Sequence, residues 1–355
     1  MNEVLRRVHL DKIASVTSRL ELSRHAVIGT EIPAKSGTVV AGRVLNSKTG
    51  YNTLEDVHGR FVTLHPGDVV AGALGRRDAL YGYSGSVPES VQVGDVLDIL
   101  NLGGVIGKGA QAAPGIGEAF HVEILGSVLE FPHLNHRVGI PACIERAARP
   151  PIPLPMGLPP VLTLLGTSMD SGKTTAAAVM IAELSRRGSR VAAGKLTGVS
   201  LRRDILAMQD CGAEPVSIFT DFGVVTTDEH NAVKATHSLI AHLSDSDPDV
   251  IVLEMGDGLL GTYGVNALLK DEALHSVLGN IVLCAQDPVG AWGAVELLRE
   301  QYGLEAHLVS GRVTDTPVGR RYCTERLGIP AWNALLDGPD EIVRFAERAH
   351  ALGAV

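Results

Sequence analysis

The fold is decided by the stretch Val161-Leu-Thr-Leu-Leu-Gly-Thr-Ser-Met-Asp-Ser-Gly-Lys-Thr-Thr175. An apolar run, a glycine-bounded segment and a helix-forming continuation predict a buried strand, a loop and the start of a helix. Gly166 and Gly172 would let the backbone wrap closely around phosphate oxygens, because successive N–H groups and the positive helix N-terminus then face the negative charge. The stretch therefore predicts a phosphate-binding loop.

Within this loop, Lys173 would place positive charge on the β- and γ-phosphates, and the Thr174 hydroxyl would ligate Mg²⁺. The usual pattern has four residues between the two glycines, whereas this chain has five, so the loop is a variant. An ordinary glycine-rich turn with a chance lysine is the alternative. The predicted nucleotide-binding residues are consecutive: Gly166, Thr167, Ser168, Met169, Asp170, Ser171, Gly172, Lys173, Thr174 and Thr175.

The flanks of the loop support this interpretation. Residues 160–165 are too uniformly apolar for a half-exposed strand and suit the centre of a parallel sheet. The segment 174–187 carries a helical apolar pattern and ends in Arg186-Arg-Gly188, a basic last turn followed by a glycine.

Composition limits the class of protein. A chain of 355 residues predicts two domains, and a formal charge of −9 disfavours binding to nucleic acid or to a membrane surface. The four cysteines are far apart, which favours reduced buried thiols over a zinc site or disulfides. The first residues lack the apolar run of a secretory signal, so we expect a cytoplasmic protein.

The pattern of apolar, glycine and proline residues divides the chain into three parts. Residues 1–145 contain short apolar runs between glycine turns, which predicts a mainly-β domain, barrel-like or sandwich-like. Residues 146–160 are proline-rich and predict a linker, and residues 161–355 predict a nucleotide-binding α/β domain. The glycine-rich segment 102–117 could hold an anion or be an ordinary flexible loop.

Apolar runs alternate with helical patterns after residue 160. The fold class that follows is α/β, a doubly wound and mostly parallel P-loop sheet preceded by a smaller mainly-β domain. Its predicted strands are 161–165, 190–194, 215–219, 249–254, 280–285 and 306–310, with a further candidate at 329–333.

Charged residues follow two of these strands. Glu254 is our first choice for holding Mg²⁺ beside Thr174, since a carboxylate at the tip of an apolar strand is what a phosphate-binding fold uses. Asp257 is the second choice, with a turn residue as its alternative. Lys195 would neutralise charge during phosphoryl transfer, so Lys173 and Lys195 are the predicted catalytic residues.

Four other charged residues could also face the cleft. Asp170 lies inside the loop, and Arg202, Arg203 and Asp204 follow the strand that carries Lys195. A solvated helix start explains the last three equally well.

Three segments carry a family resemblance. The spacing of Gly166 to Thr174 resembles the loop of dethiobiotin synthetase and of the cobyrinate amidating synthases, and so do the segments Lys195-Leu-Thr-Gly198 and Glu254-Met-Gly-Asp-Gly258. The resemblance covers about residues 160–335. It implies an ATP-binding enzyme in which a carboxylate or carbamate oxygen attacks the γ-phosphate.

The chain also departs from that family. Ser168 stands where the family loop often has an aspartate, and Leu196 replaces a proline. The signature lysine of the related partition-type ATPases falls at Thr167, so a nucleotide-sandwich dimer of that kind is not expected, although a homodimer is possible.

Two functions of different classes follow from these patterns. The leading hypothesis is a kinase or ligase-like enzyme that uses ATP and Mg²⁺ on a small-molecule substrate. The alternative is a nucleotide-dependent switch, or a chaperone ATPase that loads a metal or cofactor onto a partner. A degenerate module is disfavoured because Lys173, Thr174 and Glu254 are all present. ATP is the default nucleotide because no guanine-reading Asn/Thr-Lys-x-Asp segment is evident around Asp315.

Overall fold

A computed structural model of the chain describes residues 5–132, 138–338, 340, 342 and 344–346. The described residues form two compact units. The first unit contains the residues up to Arg149 and two later segments, Val199–Arg203 and Thr220–Thr226. The second unit contains the rest of the described chain from Pro150 onward. Among these residues, no helix combines the length and the apolar character needed to cross a bilayer.

The first unit, called here the β unit, is built on an eleven-stranded, mostly antiparallel sheet. A separate hairpin joins β5 and β6. Its strands are β1 Arg6–His9, β2 Lys12–Ile13, β3 His25–Gly29, β4 Val39–Val44, β5 Thr53–Glu55, β6 Phe61–Thr63, β7 Val69–Leu74, β8 Arg77–Asp78, β9 Tyr83–Ser86, β10 Val96–Ile99, β11 Val105–Ala112, β12 Phe120–Glu130 and β13 Ile140–Pro141. Short 3-10 helices occupy Ser15–Leu20 and Ile144–Ala147.

The core of the β unit follows the period-two pattern of its strands. In β12, Phe120, Val122 and Ile124 are buried while the intervening His121 and Glu123 are partly exposed. Strand β4 pairs with both β7 and β12, so its valines are covered from several sides. A second, smaller cluster contains Tyr83, Leu100, Ile116 and Ala119.

The two later segments belong fully to the β unit. Glu55 is completely buried and accepts hydrogen bonds from the backbone N–H groups of Arg202 (2.8 Å) and Arg203 (2.6 Å) and from the Ser15 hydroxyl. Asn101 donates to the carbonyl of Ser200 at 2.8 Å. A buried carboxylate needs several donors, and these backbone groups supply them.

The second unit, called here the α/β unit, contains a six-stranded sheet in which all pairs are parallel, in the order β16-β15-β17-β14-β18-β19. Its strands are β14 Val161–Gly166, β15 Val191–Thr197, β16 Val216–Ile218, β17 Val250–Met255, β18 Asn280–Cys284 and β19 Ala306–Ser310. Its helices are α1 Lys173–Arg186, α2 Arg203–Asp210, α3 Ala232–Ser244, α4 Val265–Lys270, α5 Glu272–His275, α6 Pro288–Tyr302 and α7 Pro317–Arg321, with a 3-10 helix at Arg312–Thr314 and a π-helical turn at Tyr322–Arg326. The first residue of α2 belongs to the β unit, and so do the last three residues of a further 3-10 helix, Phe219–Phe222.

Strand β14 lies between β17 and β18, and all six of its residues are buried. The strands after β14 run first toward one edge of the sheet and later toward the other, so the order reverses at the centre. In an open parallel sheet, ligands bind at the carboxyl ends of the strands at such a reversal. This topology places the loop after β14 at the expected binding edge.

The predicted fold class is confirmed in its coarse form, as a parallel α/β unit and a mainly-β unit. The candidate strand at 329–333 does not form, and only an isolated bridge between Ala331 and Val309 is present there. Gly328 adopts a positive φ of 70° just before it, which interrupts extended backbone. The sequence pattern also predicts a helix at 339–352, and most of these residues lie outside the described part of the chain.

Candidate functional site

The loop between β14 and α1 has the backbone conformation of an anion nest. Asp170 (φ 58°) and Gly172 (φ 102°) adopt left-handed conformations, and Gly172 directly precedes the first residue of α1. Left-handed residues within a tight turn direct successive N–H groups to one side. The positive end of the α1 dipole adds to the same field.

The N–H groups of this loop are free for a ligand. Thr167 N–H donates to the carbonyl of Cys284 at 3.0 Å, but the backbone N–H groups of residues 168–173 donate to no acceptor in the described part of the chain. Buried backbone donors are almost always paired, and Ser171 and Lys173 are buried while Ser168, Met169 and Gly172 are partly buried. These N–H groups are therefore available to several anionic oxygens at once.

Lys173 lies across this loop with only 5% of its surface exposed. Its Nζ donates to the carbonyl of Ser168 at 2.8 Å and to the Ser171 hydroxyl at 3.4 Å. Burial lowers the pKa of the ammonium, and the charge of Glu254 opposes part of that shift. A buried cation among unpaired N–H donors favours a multiply charged anion.

Two glycines from other strands hold the loop in place. A Cβ at Gly258 would lie 2.5 Å from the carbonyl oxygen of Thr167, and one at Gly311 would overlap the carbonyl oxygen of Ser171. Gly311 also adopts a positive φ of 84°. The backbone after β17 and after β19 therefore packs directly against the loop, which any side chain at these positions would prevent.

Gln286, two residues after β18, fixes the middle of the loop. Its Nε2 donates to the carbonyl of Met169 at 3.2 Å and approaches the Ser168 hydroxyl at 3.4 Å. Sequence reasoning did not assign these contacts to Gln286, Gly258 and Gly311, since none of them lies in the loop motif. Gln286 and Gly311 directly follow predicted strands, and Gly258 ends the segment Glu254–Gly258 that carries the family resemblance.

The register of the sheet brings the predicted charged residues together. Glu254 of β17 lies opposite Leu164 of β14 on one side and opposite Lys195 of β15 on the other. Because parallel strands share their carboxyl edge, both side chains reach the edge where the loop begins. Thr174, in the first turn of α1, donates its hydroxyl hydrogen to Glu254 Oε1 at 3.1 Å.

Glu254 has the properties of a cation ligand. It is 2% exposed, and its Oε2 has no hydrogen-bond partner among the described residues. Burial raises the pKa of this carboxyl, while Lys195 and Lys173 lower it in part. A buried carboxylate oxygen without a partner is costly, and with the Thr174 hydroxyl it fits the oxygen ligands that Mg²⁺ prefers.

Lys195 lies between two carboxylates. Its Nζ forms a close ion pair with Asp204 and lies 3.9 Å from Glu254 Oε1. Asp204 is 7% exposed, so it is not the solvated helix residue that was one alternative for it. Two buried carboxylates therefore share one ammonium at this edge of the sheet.

The remaining candidate residues have different surroundings. Arg202 and Arg203 belong to the β unit, and Asp170 is an exposed residue of the loop itself. Asp257 follows β17 with a positive φ of 75°. Burial raises its pKa, against backbone hydrogen bonds with Gly258 and Thr262 that lower it. These turn contacts match the alternative reading of Asp257 as a turn residue.

Comparisons with known proteins return weak structural likenesses. No family model and no curated protein sequence matches the chain. The signal recognition particle receptor FtsY of Elizabethkingia anophelis is similar at a TM-score of 0.38 and 13% identity, over 54% of this chain and 65% of that one. A DUF1611 family protein of Anabaena variabilis is similar at a TM-score of 0.39 and 13% identity, over 54% of this chain and 58% of that one. The signal recognition particle 54 kDa protein of Aeropyrum pernix, in complex with GDP, is similar at a TM-score of 0.36 and 17% identity, over 56% of this chain and 50% of that one. The chain thus spans half to two thirds of the length of these structures.

Proposed function

We propose that the α/β unit binds a nucleoside triphosphate, ATP by default, and transfers its γ-phosphoryl group with the help of Mg²⁺. One observation carries this proposal: the six unpaired N–H groups of residues 168–173 surround the buried Lys173 beside the Thr174–Glu254 pair. Only a ligand with several anionic oxygens and an associated divalent cation would satisfy all of these groups together.

The acceptor that we propose is a carboxylate or carbamate oxygen of a small molecule, as the resemblance to dethiobiotin synthetase implies. That oxygen would form a bond to the γ-phosphorus while the bond to the β–γ bridging oxygen breaks, and ADP would leave with the bond electrons. The products are an acyl or carbamoyl phosphate and ADP.

Each residue would have one task in this reaction. The loop N–H groups and Lys173 would bind the β- and γ-phosphates, and Lys195 would stabilise the charge of the transferring group. Thr174 and Glu254 would hold Mg²⁺, with Asp204 close by through its pairing with Lys195. When bound, Mg²⁺ neutralises phosphate charge in the transition state.

ADP release tests this proposal. The full chain is incubated with Mg²⁺ and ATP or GTP, alone and with panels of small carboxylates, amines and amino acids. We expect one carboxylate or amine class to stimulate ADP release from ATP. Preference for GTP would replace ATP as the proposed nucleotide. Absence of any stimulated turnover would count against the proposal that the protein is an enzyme.

One observation favours the switch as a second candidate. Arg203, whose N–H is bonded to Glu55 inside the β unit, is followed in the chain by Asp204, the partner of Lys195. A nucleotide that disturbs the Lys195–Asp204 pair would act on the residue next to that backbone hydrogen bond. In a switch, hydrogen exchange of the Arg202 and Arg203 amides would differ between ADP and a non-hydrolysable ATP analogue. In a simple enzyme, the two exchange rates would agree.

A further inference from the structure

The β unit holds a lysine in an unusual environment. Lys48, in the loop between β4 and β5, directs its Nζ to the hydroxyl of Tyr83 in a close hydrogen bond. The same Nζ lies 4.6 Å from the ring centroid of Tyr83 and 5.4 Å from that of Phe120. Both aromatic side chains are only 3% exposed. The ammonium is therefore held by one hydroxyl and two rings.

The loop that carries Lys48 is anchored at both sides. Asn46 donates to the carbonyl of Ala119 at 2.9 Å and accepts from the N–H of His121 at 2.9 Å. Tyr51 adopts a positive φ of 51° and packs edge-on against Tyr83, with ring centroids 6.4 Å apart and an interplanar angle of 82°. Because a tyrosine with a positive φ is uncommon, the local contacts must determine this conformation.

Tyr83 is also fixed. Its hydroxyl donates to the carbonyl of Glu118 at 3.1 Å, so its oxygen is left to accept from Lys48. The ring packs with Leu100, Ile116 and Ala119 in the small second core of the unit. The position of the ammonium is consequently set by groups that are themselves rigidly held.

Lys48 has no ion-pair partner. No carboxylate in the described part of the chain lies within 4.0 Å of its Nζ, and Tyr83 is its only hydrogen-bond acceptor there. The Glu118 side chain is 86% exposed and lies near His121 Nε2 instead. Burial raises the pKa of the Tyr83 hydroxyl, and Tyr51 adds to that shift, while the charge of Arg77 opposes it. Among the described residues, Lys48 therefore lies beside a neutral hydroxyl and not beside a carboxylate.

Burial also lowers the pKa of Lys48. A cation that loses hydration without gaining a counter-ion is destabilised, and an anion beside it would restore the balance. The ammonium of Lys48 uses one of its three N–H donors for Tyr83, which leaves two, and the aromatic residue Tyr51 nearby is 41% exposed. This arrangement suits a compact anion with several acceptor oxygens.

We propose that Lys48, Tyr83 and Tyr51 form a binding site for a small oxyanion, a carboxylate or a phosphate group, within the β unit. The ammonium of Lys48 binds the oxyanion, the Tyr83 hydroxyl holds the ammonium in place, and the Tyr51 ring borders the site.

Site-specific acylation tests this proposal on the full chain. An N-hydroxysuccinimide ester is applied at low dose, and peptide mass spectrometry measures the labelling rate of Lys48 with chloride, phosphate or benzoate at equal ionic strength. A bound anion keeps the ammonium protonated, so we expect phosphate or benzoate to slow labelling of Lys48 at least about threefold. Lys108, an exposed lysine of the same unit, is the matched control and keeps its rate.

The two anions distinguish the two sources of the oxyanion. Protection by benzoate alone assigns a carboxylate, and protection by phosphate assigns a phosphate group. Equal rates for Lys48 in all three salts would overturn the proposal. The protection should persist in Lys173→Ala, since the phosphate loop is a different site, and it should weaken in Tyr83→Phe. Loss of protection in Lys173→Ala, or full protection in Tyr83→Phe, would also contradict it.

Discussion

The two units surround their partly or fully buried lysines with different chemical groups. In the α/β unit, Lys173 and Lys195 lie against oxygen atoms: one backbone carbonyl, one hydroxyl and two carboxylates. In the β unit, Lys48 meets two aromatic rings and one hydroxyl. We propose that the first arrangement binds a phosphate chain together with Mg²⁺. In the second, the ammonium has no ion-pair partner in the described part of the chain, which fits our proposal of a lone anion.

The two sites also differ in how far apart in the sequence their residues are. The α/β site is assembled from one continuous loop and from strand ends brought together by sheet register. The β site is assembled from the loop after β4 and the starts of β9 and β12, which are far apart in sequence. The predictions below test whether these two sites are independent, in order of decreasing effect.

Replacing Glu254 by Gln should have the largest effect. The amide keeps the shape but loses the charge that binds Mg²⁺, so Mg²⁺-dependent turnover should fall by at least about 10²-fold. Nucleotide binding without Mg²⁺ should remain, as measured by calorimetric titration. Asp257→Asn is the matched control and should cost much less. Equal loss of both properties in Glu254→Gln would indicate a structural acid.

Replacing Gly311 by Ala should disrupt the loop from outside. The added Cβ would overlap the carbonyl oxygen of Ser171 at a backbone conformation with φ 84°, so we expect destabilisation by at least about 2 kcal/mol and weaker nucleotide binding. Gly293→Ala, at an exposed position of α6 with open space around its Cβ, should instead stabilise by about 0.5–1 kcal/mol. Denaturant unfolding measures both, and similar values would refute the packing role of Gly311.

The pH dependence of Mg²⁺ binding should follow Glu254. Because burial raises its pKa, the folded protein binds this proton more tightly than the unfolded chain does. The stability that it contributes is complete below the ordinary value of 4.5 and is lost as the pH rises through the raised pKa. Mg²⁺ affinity should change in the opposite sense, falling about tenfold per pH unit below the raised pKa. A pH-independent affinity in the wild type, equal to that of Glu254→Gln, would exclude this carboxylate as the ligand.

Replacing Lys48 by Gln should have the smallest effect. Cation–π contacts of a partly exposed lysine contribute about 0.5–1 kcal/mol, so stability should change by no more than that. Turnover in the absence of added oxyanions should not change if the two sites are independent. A large loss of turnover would show that they are not.

Much of the α/β unit could be predicted from the sequence. The loop glycines, the apolar run before them and the acid near the end of β17 are local patterns with direct physical meanings. The sequence suggested that Lys195 and Glu254 lie at the same edge of the sheet. It could not show that they are direct neighbours, because that depends on the register of β15 with β17. The packing of Gly258 and Gly311 against the loop could not be predicted, because it depends on backbone distances between separate strands.

The β unit was far less predictable. Its short apolar runs indicated strands, but the order of an eleven-stranded sheet is set by long-range pairing. No local sequence pattern predicts that Val199–Arg203 and Thr220–Thr226 belong to this unit. The residues around Glu55 do not indicate that its carboxylate accepts hydrogen bonds from Arg202 and Arg203. The surroundings of Lys48 could not be predicted either, because Tyr83 and Phe120 are far from it in the sequence.

The most direct test of the central claim is a calorimetric titration of ATP into the wild type and into Lys173→Ala, with thermal unfolding as the control for folding. We predict that the wild type binds ATP and that Lys173→Ala loses at least about 10²-fold in affinity while its unfolding temperature stays close to that of the wild type. Equal affinity in the two proteins would contradict the assignment of residues 166–175 as the nucleotide-binding loop.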